Sequence, residues 1–184
     1  MVAFFSKWLT ANHLTTLRVA LVPFIYAGIV IGENDRWILL GTWLIFFIAC
    51  LTDYWDGVIA RHQGKDTKIG KLLDPVADKI LICSLLILLV AIERAPAYLT
   101  VIVIARELII NGLRSIASAE GLIIKASSGG KSKTIIQMFA VGFLIIHYKT
   151  SGLPCHEIGI LMLWIATGIS LWSGFKYIKA YLKN

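Results

Sequence analysis

Apolar residues in this 184-residue chain gather into six long runs separated by short polar breaks. The runs cover about 14–32, 37–60, 72–92, 97–117, 133–148 and 157–175. A helix of about 20 residues, rising about 1.5 Å per residue, crosses a hydrocarbon core of about 30 Å. Each run therefore reads as a membrane-spanning helix. Pro23 falls inside the first and predicts a mild kink there. Residues 1–12, MVAFFSKWLTAN, are too short to span. Phe4, Phe5, Trp8 and Leu9 recur at helical spacing beside Lys7, which suits a short helix lying in the interface. No internal repeat or low-complexity linker divides the chain, so residues 1–184 form one membrane-embedded domain. The expected fold is all-α: an integral membrane protein of six transmembrane helices preceded by a short interfacial amphipathic helix.

Composition agrees. Hydrophobic residues make up 58% of the chain, against about 45–50% for a soluble domain. A soluble chain of this length has no interior large enough to bury six such helices. The net charge of +7 then points to lipid rather than nucleic acid, because no RNA-binding motif or basic helix with interleaved aromatics accompanies it. Lys and Arg are unevenly shared. Arg61, Lys65, Lys68 and Lys71 lie between the second and third runs, Lys125, Lys131 and Lys133 between the fourth and fifth, and Lys176, Lys179 and Lys183 in the tail. The opposite side has only Arg36, Arg94 and Lys149. That bias places both termini and both basic loops in the cytoplasm, with anionic phospholipid headgroups as neighbours. The N-terminus shows no signal-peptide cleavage pattern, so the first span is expected to be retained in a multi-pass protein of the cytoplasmic (inner) membrane. Cys50, Cys83 and Cys155 have no metal-ligand spacing and read as small apolar residues.

Against this apolar background the stretch from Leu51 to Leu81 is anomalous. Asp53 and Asp56 sit near the end of the second run, and Asp74 and Asp78 at the start of the third. Spacings of three and four residues put each pair on one helix face. Antiparallel neighbours would bring all four to one depth, on the cytoplasmic side. Carboxylates so close repel one another unless some are protonated or a cation holds them. Oxygen-only ligands favour hard cations, Mg²⁺ or Mn²⁺. Four aspartates suit two ions about 3.5–4 Å apart, an arrangement common where phosphate oxygens are displaced. A transporter would distribute its ionisable groups through the bilayer depth, whereas these cluster at one side.

The order Asp53-x-x-Asp56-Gly57-x-x-Ala60-Arg61, eight residues, Gly70, three, Asp74, three, Asp78 resembles the signature of the CDP-alcohol phosphotransferase family at every fixed position. The resemblance implies that Asp53, Asp56, Asp74 and Asp78 hold divalent metal ions against a CDP-linked donor. It makes Asp78 the general base, and it places Gly57, Ala60, Arg61 and Gly70 in the CDP pocket. Asn12, in a segment NHLTTLR that is similar to the family's N-terminal region, joins the donor-binding set. No nucleophile suited to a covalent intermediate is apparent, so direct displacement with release of CMP is expected. The resemblance also implies a homodimer.

Two further stretches bear on the acceptor. Arg106 and Arg114 lie about 80° apart around the fourth run, with Glu107 beside the first of them. Arginines inside an apolar span need an anion or a carboxylate, and guanidinium groups bind phosphate oxygens in pairs. Lys131 and Lys133, in Gly129-Gly130-Lys131-Ser132-Lys133-Thr134, begin the fifth run. These four cations predict a pocket for an acceptor that itself carries phosphate. Within the family, the A-R-E…L-R and G-K-x-K-T patterns are similar to members that use sn-glycerol 3-phosphate. The expected reaction is then phosphatidyl transfer from CDP-diacylglycerol to sn-glycerol 3-phosphate, giving phosphatidylglycerophosphate. Inositol phosphate, inositol, serine and phosphatidylglycerol are the alternative acceptors.

Overall fold

The computed structural model describes residues 11–63, 68–120, 122, 129–150 and 152–183, with side chains for 19–51, 79–120, 122, 133–150 and 152–183. Most of the predicted interfacial helix, residues 1–10, lies outside them. The described chain is mostly helical: α1 (Ala11–Ile31), α2 (Arg36–Gln63), α3 (Lys68–Ala91), α4 (Ala97–Ala119), α5 (Gly129–Ile146) and α6 (Cys155–Tyr181). A two-residue hairpin, β1 (Lys149–Thr150) and β2 (Leu153–Pro154), pairs antiparallel between the last two helices.

Each predicted span coincides with one helix, but the ends differ. α2 continues to Gln63, α3 begins at Lys68, and α6 runs on to Tyr181. A backbone ladder does not stop where apolar residues stop, so polar turns extend these helices past the apolar run. The fifth span ends sooner than predicted. α5 stops at Ile146, and His147 takes a left-handed φ of 58°, so His147 and Tyr148 belong to the turn that follows. α1 runs through Pro23 without interruption.

The chain divides into two compact units, Met1–Leu88 and Leu89–Asn184. In the first, α1 and α2 form a hairpin whose turn is closed by capping. The Asp35 carboxylate accepts from the Trp37 backbone N–H at 2.8 Å, which satisfies a donor otherwise orphaned at the start of α2. Ile25, Ile29, Leu39 and Phe46 are buried. Gly28 lets the two helices approach, since a Cβ there would lie 2.3 Å from Thr42 Oγ1.

In the second unit α6 packs on both α4 and α5. Its buried positions, Gly159, Leu163, Ala166, Thr167, Ser170, Ser173, Gly174 and Tyr177, recur at helical spacing and are mostly small. Small residues permit close backbone contact, the usual device where lipid supplies no hydrophobic drive between helices. At Gly159 a Cβ would sit 2.8 Å from Leu144 Cγ of α5. The turn before α4 is tied down by Arg94, whose Nη1 donates to the Ile145 carbonyl at 3.2 Å.

α6 is long and apolar enough to cross a membrane, the one such helix among the described residues. α4 has the length but carries Arg106, Glu107 and Arg114. Both helices turn large apolar side chains outward: Val101, Leu108 and Ile109 on α4, and Leu161, Trp164, Trp172 and Phe175 on α6. Exposed apolar surface of this extent needs a non-aqueous neighbour.

Candidate active site

The acidic stretch falls on helical backbone. Asp53 and Asp56 lie in α2, one turn apart, and Asp74 and Asp78 lie in α3, one turn apart. Gly57, Ala60 and Arg61 continue α2, and Gly70 lies in the first turn of α3. Asn12 is in the first turn of α1 and Lys131 in that of α5. The side chains of these ten residues lie outside the described ones, so the predicted metal and CDP sites rest on helical register.

The predicted acceptor cations Arg106, Arg114 and Lys133 are described fully. Arg106 sits mid-way along α4 and is 9% exposed. Its Nε donates to the Ser170 carbonyl at 2.9 Å, Nη2 to Ser173 Oγ at 2.7 Å, and Nη1 to Glu107 Oε1 at 2.9 Å. A guanidinium carries five N–H donors, so one donor on each terminal nitrogen remains beyond these three. Lys133, near the start of α5, is 7% exposed and donates through Nζ to the same Glu107 Oε1. Glu107 therefore joins cations from two helices, and it is itself 6% exposed. The structure brings Arg106 and Lys133 together through this carboxylate. A buried ion needs such partners, because losing water is otherwise prohibitive.

Gly174 forms the floor under Arg106. A Cβ there would lie 3.1 Å from Arg106 Nε and 3.6 Å from its Cγ. Next to it, Ser170 Oγ is buried with no hydrogen-bond partner among the described residues. Arg114, two turns beyond Arg106, is exposed, and its guanidinium carbon lies 5.6 Å from the centroid of the Tyr177 ring. Stacking of that kind holds the guanidinium plane while leaving its edge available for hydrogen bonds. One further contact links the ends of α4 and α6, where the Tyr181 hydroxyl donates to both oxygens of Glu120, at 3.1 and 3.2 Å.

Ser170, Ser173, Gly174 and Tyr177 escaped the sequence reading. Their signal is the run Ser170-Leu-Trp-Ser173-Gly174 in the last apolar span, polar and small residues three and four apart on one face. Glu107 was visible as a neighbour of Arg106, but its second partner on α5 was not.

The family model described as CDP-alcohol phosphatidyltransferase matches residues 8–172. Similar curated proteins include a CDP-diacylglycerol–glycerol-3-phosphate 3-phosphatidyltransferase of Rickettsia felis, 36% identical over 94% of this chain and 94% of its own length. The Bacillus subtilis protein of the same name is 34% identical over 91% of this chain and 92% of its own. A probable phosphatidylglycerophosphate synthase of Mycobacterium tuberculosis is 37% identical over 95% of this chain and 82% of its own.

Proposed function

This chain belongs to the CDP-alcohol phosphatidyltransferase family, and from that premise we propose that it transfers the phosphatidyl group of CDP-diacylglycerol to sn-glycerol 3-phosphate. The products are phosphatidylglycerophosphate and CMP, a step of phospholipid synthesis. The names of its relatives support the substrates. The observation that carries the acceptor is the buried pairing of Arg106 and Lys133 around Glu107, a cationic cluster suited to a phosphate monoester and needless for an uncharged polyol.

Asp53, Asp56, Asp74 and Asp78 are the residues assigned to divalent metal, Mg²⁺ or Mn²⁺, as two ions. Their one-turn spacing on α2 and on α3 and their oxygen-only chemistry fit a hard cation. Such a cation supplies charge neutralisation at the donor diphosphate. Gly57, Ala60, Arg61, Gly70 and Asn12 are assigned to the CDP moiety. Arg106, Arg114, Lys131 and Lys133 are assigned to the acceptor phosphate. Asp78 takes the proton of the attacking hydroxyl. The acceptor oxygen forms a bond to the phosphatidyl phosphorus as the bond from that phosphorus to the CMP oxygen breaks, with no covalent enzyme intermediate.

All six helices are read as spans of one domain, with termini and active site on the cytoplasmic side of the inner membrane and a homodimer as the assembly. The outward-facing apolar side chains of α4 and α6 support the membrane setting. The test is CMP release by purified protein in detergent, with CDP-diacylglycerol, Mg²⁺ or Mn²⁺, and a panel of acceptors. Metal-dependent release with glycerol 3-phosphate alone is expected. Release only with inositol, inositol phosphate, serine or phosphatidylglycerol would replace the acceptor assignment.

A further inference from the structure

We propose that Glu107 is a positioning residue of the acceptor site, setting Lys133 and Arg106 in the arrangement that receives phosphate; this rests on the acceptor reading above. Glu107 is a carboxylate buried inside a cluster whose task is to attract an anion, which on charge alone is counterproductive. Its geometry supplies a reason. One oxygen, Oε1, accepts from Arg106 Nη1 on its own helix and from Lys133 Nζ on α5. A lysine on a four-carbon stem has many rotamers, and every partner that narrows them before the acceptor arrives lowers the ordering cost of binding. Glu107 is such a partner for Lys133.

Arg106 is fixed from three directions. Ser170 and Ser173 of α6 take Nε and Nη2, Glu107 takes Nη1, and the bare Gly174 backbone lets the side chain lie flat against α6. The remaining donors of the guanidinium then have one orientation only. The cluster of two cations and one carboxylate carries a single net positive charge, which is easier to hold in a low-dielectric interior than two. An arriving phosphate meets oriented donors, and the binding energy is not consumed in ordering them.

Four forms of the full-length protein test this: wild type, Glu107→Gln, Glu107→Asp and Lys133→Met, together with the Glu107→Gln/Lys133→Met double variant. CMP release is followed against glycerol 3-phosphate at saturating CDP-diacylglycerol, and then against CDP-diacylglycerol at saturating acceptor. Glu107→Gln is expected to raise the acceptor KM about ten-fold or more, with the donor KM within about two-fold and kcat within about three-fold. Glu107→Asp, which keeps the charge, should recover part of the loss. In the Lys133→Met background, Glu107→Gln should add less than about two-fold, since the partner it positions on α5 is gone. An unchanged acceptor KM overturns the proposal. So do equal effects on donor, acceptor and kcat, or full multiplication in the double variant, because each marks a merely structural role. If Glu107→Gln does not fold, the proposal stands or falls on Glu107→Asp, whose acceptor KM must rise while its donor KM does not. Wild-type protein that is folded but uses only an unphosphorylated acceptor overturns the acceptor reading and this proposal together. Wild-type activity with glycerol 3-phosphate and an indifferent Glu107→Gln overturns this proposal alone.

Discussion

Gly174→Ala adds one methyl group at the point where α6 meets Arg106. Two effects oppose each other. Alanine is favoured over glycine inside a helix by about 0.8–1.0 kcal/mol. The new Cβ, however, would sit 3.1 Å from Arg106 Nε, where unstrained contacts with carbon begin near about 3.5 Å. Arg106 must retreat by about 0.4 Å, away from the helix that supplies its acceptors. The Nε bond to the Ser170 carbonyl is 2.9 Å and the Nη2 bond to Ser173 Oγ is 2.7 Å, so a retreat of that size leaves both within bonding reach but lengthens and weakens each. Hydrogen bonds from charged donors contribute about 1.5–3 kcal/mol each, and two weakened together lose on the order of half their sum. The loss outweighs the gain by roughly 0.5–2 kcal/mol. At about 2–4 °C per kcal/mol for a chain of this size, the melting temperature should fall by a few degrees. Gly168→Ala on the same helix is the control. Among the described residues no neighbouring atom lies within 4 Å of its Cβ position, so propensity acts alone and stability should rise. Tryptophan-fluorescence melts of both variants in one detergent, with acceptor and donor KM from CMP release, decide the matter. The acceptor KM of Gly174→Ala should rise several-fold and the donor KM stay put. If Gly174→Ala is stabilised as much as Gly168→Ala, with unaltered kinetics, then Arg106 moves without penalty and its three-point fixation has no energetic meaning.

Asp78→Asn should abolish CMP release while CDP-diacylglycerol binding persists, measured by equilibrium binding of labelled donor; near-normal turnover would remove Asp78 as base. Arg114→Ala should raise the acceptor KM about ten-fold through loss of a phosphate contact, whereas Arg114→Lys, which cannot stack on Tyr177 in the same way, should recover little; full activity in either would take Arg114 out of the pocket. His147, in the turn after α5, contacts His156 Nδ1 to Nδ1 at 3.2 Å, and burial, then Arg94, then His156 hold its pKa below the ordinary 6.5 against the opposing pull of Glu157. The unfolded chain therefore binds a proton there before the folded one does, so stability is full above pH 6.5 and declines as pH falls through the depressed value. Melts between about pH 7.5 and pH 5 should show that decline and its reduction in His147→Gln; an identical slope in the variant would rule out His147 as its source.

The helices were legible because each apolar run is long and each break is short, and no competing element makes such runs. Their ends were not, for a physical reason. Hydropathy marks where apolar runs stop, whereas Lys68–Lys71 and Lys176–Tyr181 remain helical beyond those runs. At the other extreme, Ile146 ends a helix before the predicted run does, where His147 adopts a left-handed backbone. The acidic signature could be read residue by residue since its information is local spacing on two helices. The clamp around Arg106 could not. Its acceptors, Ser170 and Ser173, come from 64 and 67 residues further along the chain. No periodicity within α4 announces which face of α6 will meet it.

That clamp also suggests why acceptor binding and helix packing share residues. In water, apolar burial would hold α4, α5 and α6 together, and polar groups could be kept for chemistry. Lipid is as apolar as leucine, so close packing and interhelical hydrogen bonds take over that task. Arg106 to Ser170 and Ser173 joins α4 to α6, and Glu107 to Lys133 joins α4 to α5. Bonds that hold these three helices are made in part by the cations assigned to the acceptor, beside the Tyr181 bond to Glu120. An anion bound by the remaining donors of Arg106 would therefore strengthen the helix contacts as it binds. Glycerol 3-phosphate should accordingly raise the melting temperature of the wild-type protein, and should do so much less in Ser173→Ala, where Nη2 has lost its anchor. Equal stabilisation of both would show that packing and binding are independent, and that the Arg106 cluster serves the fold alone.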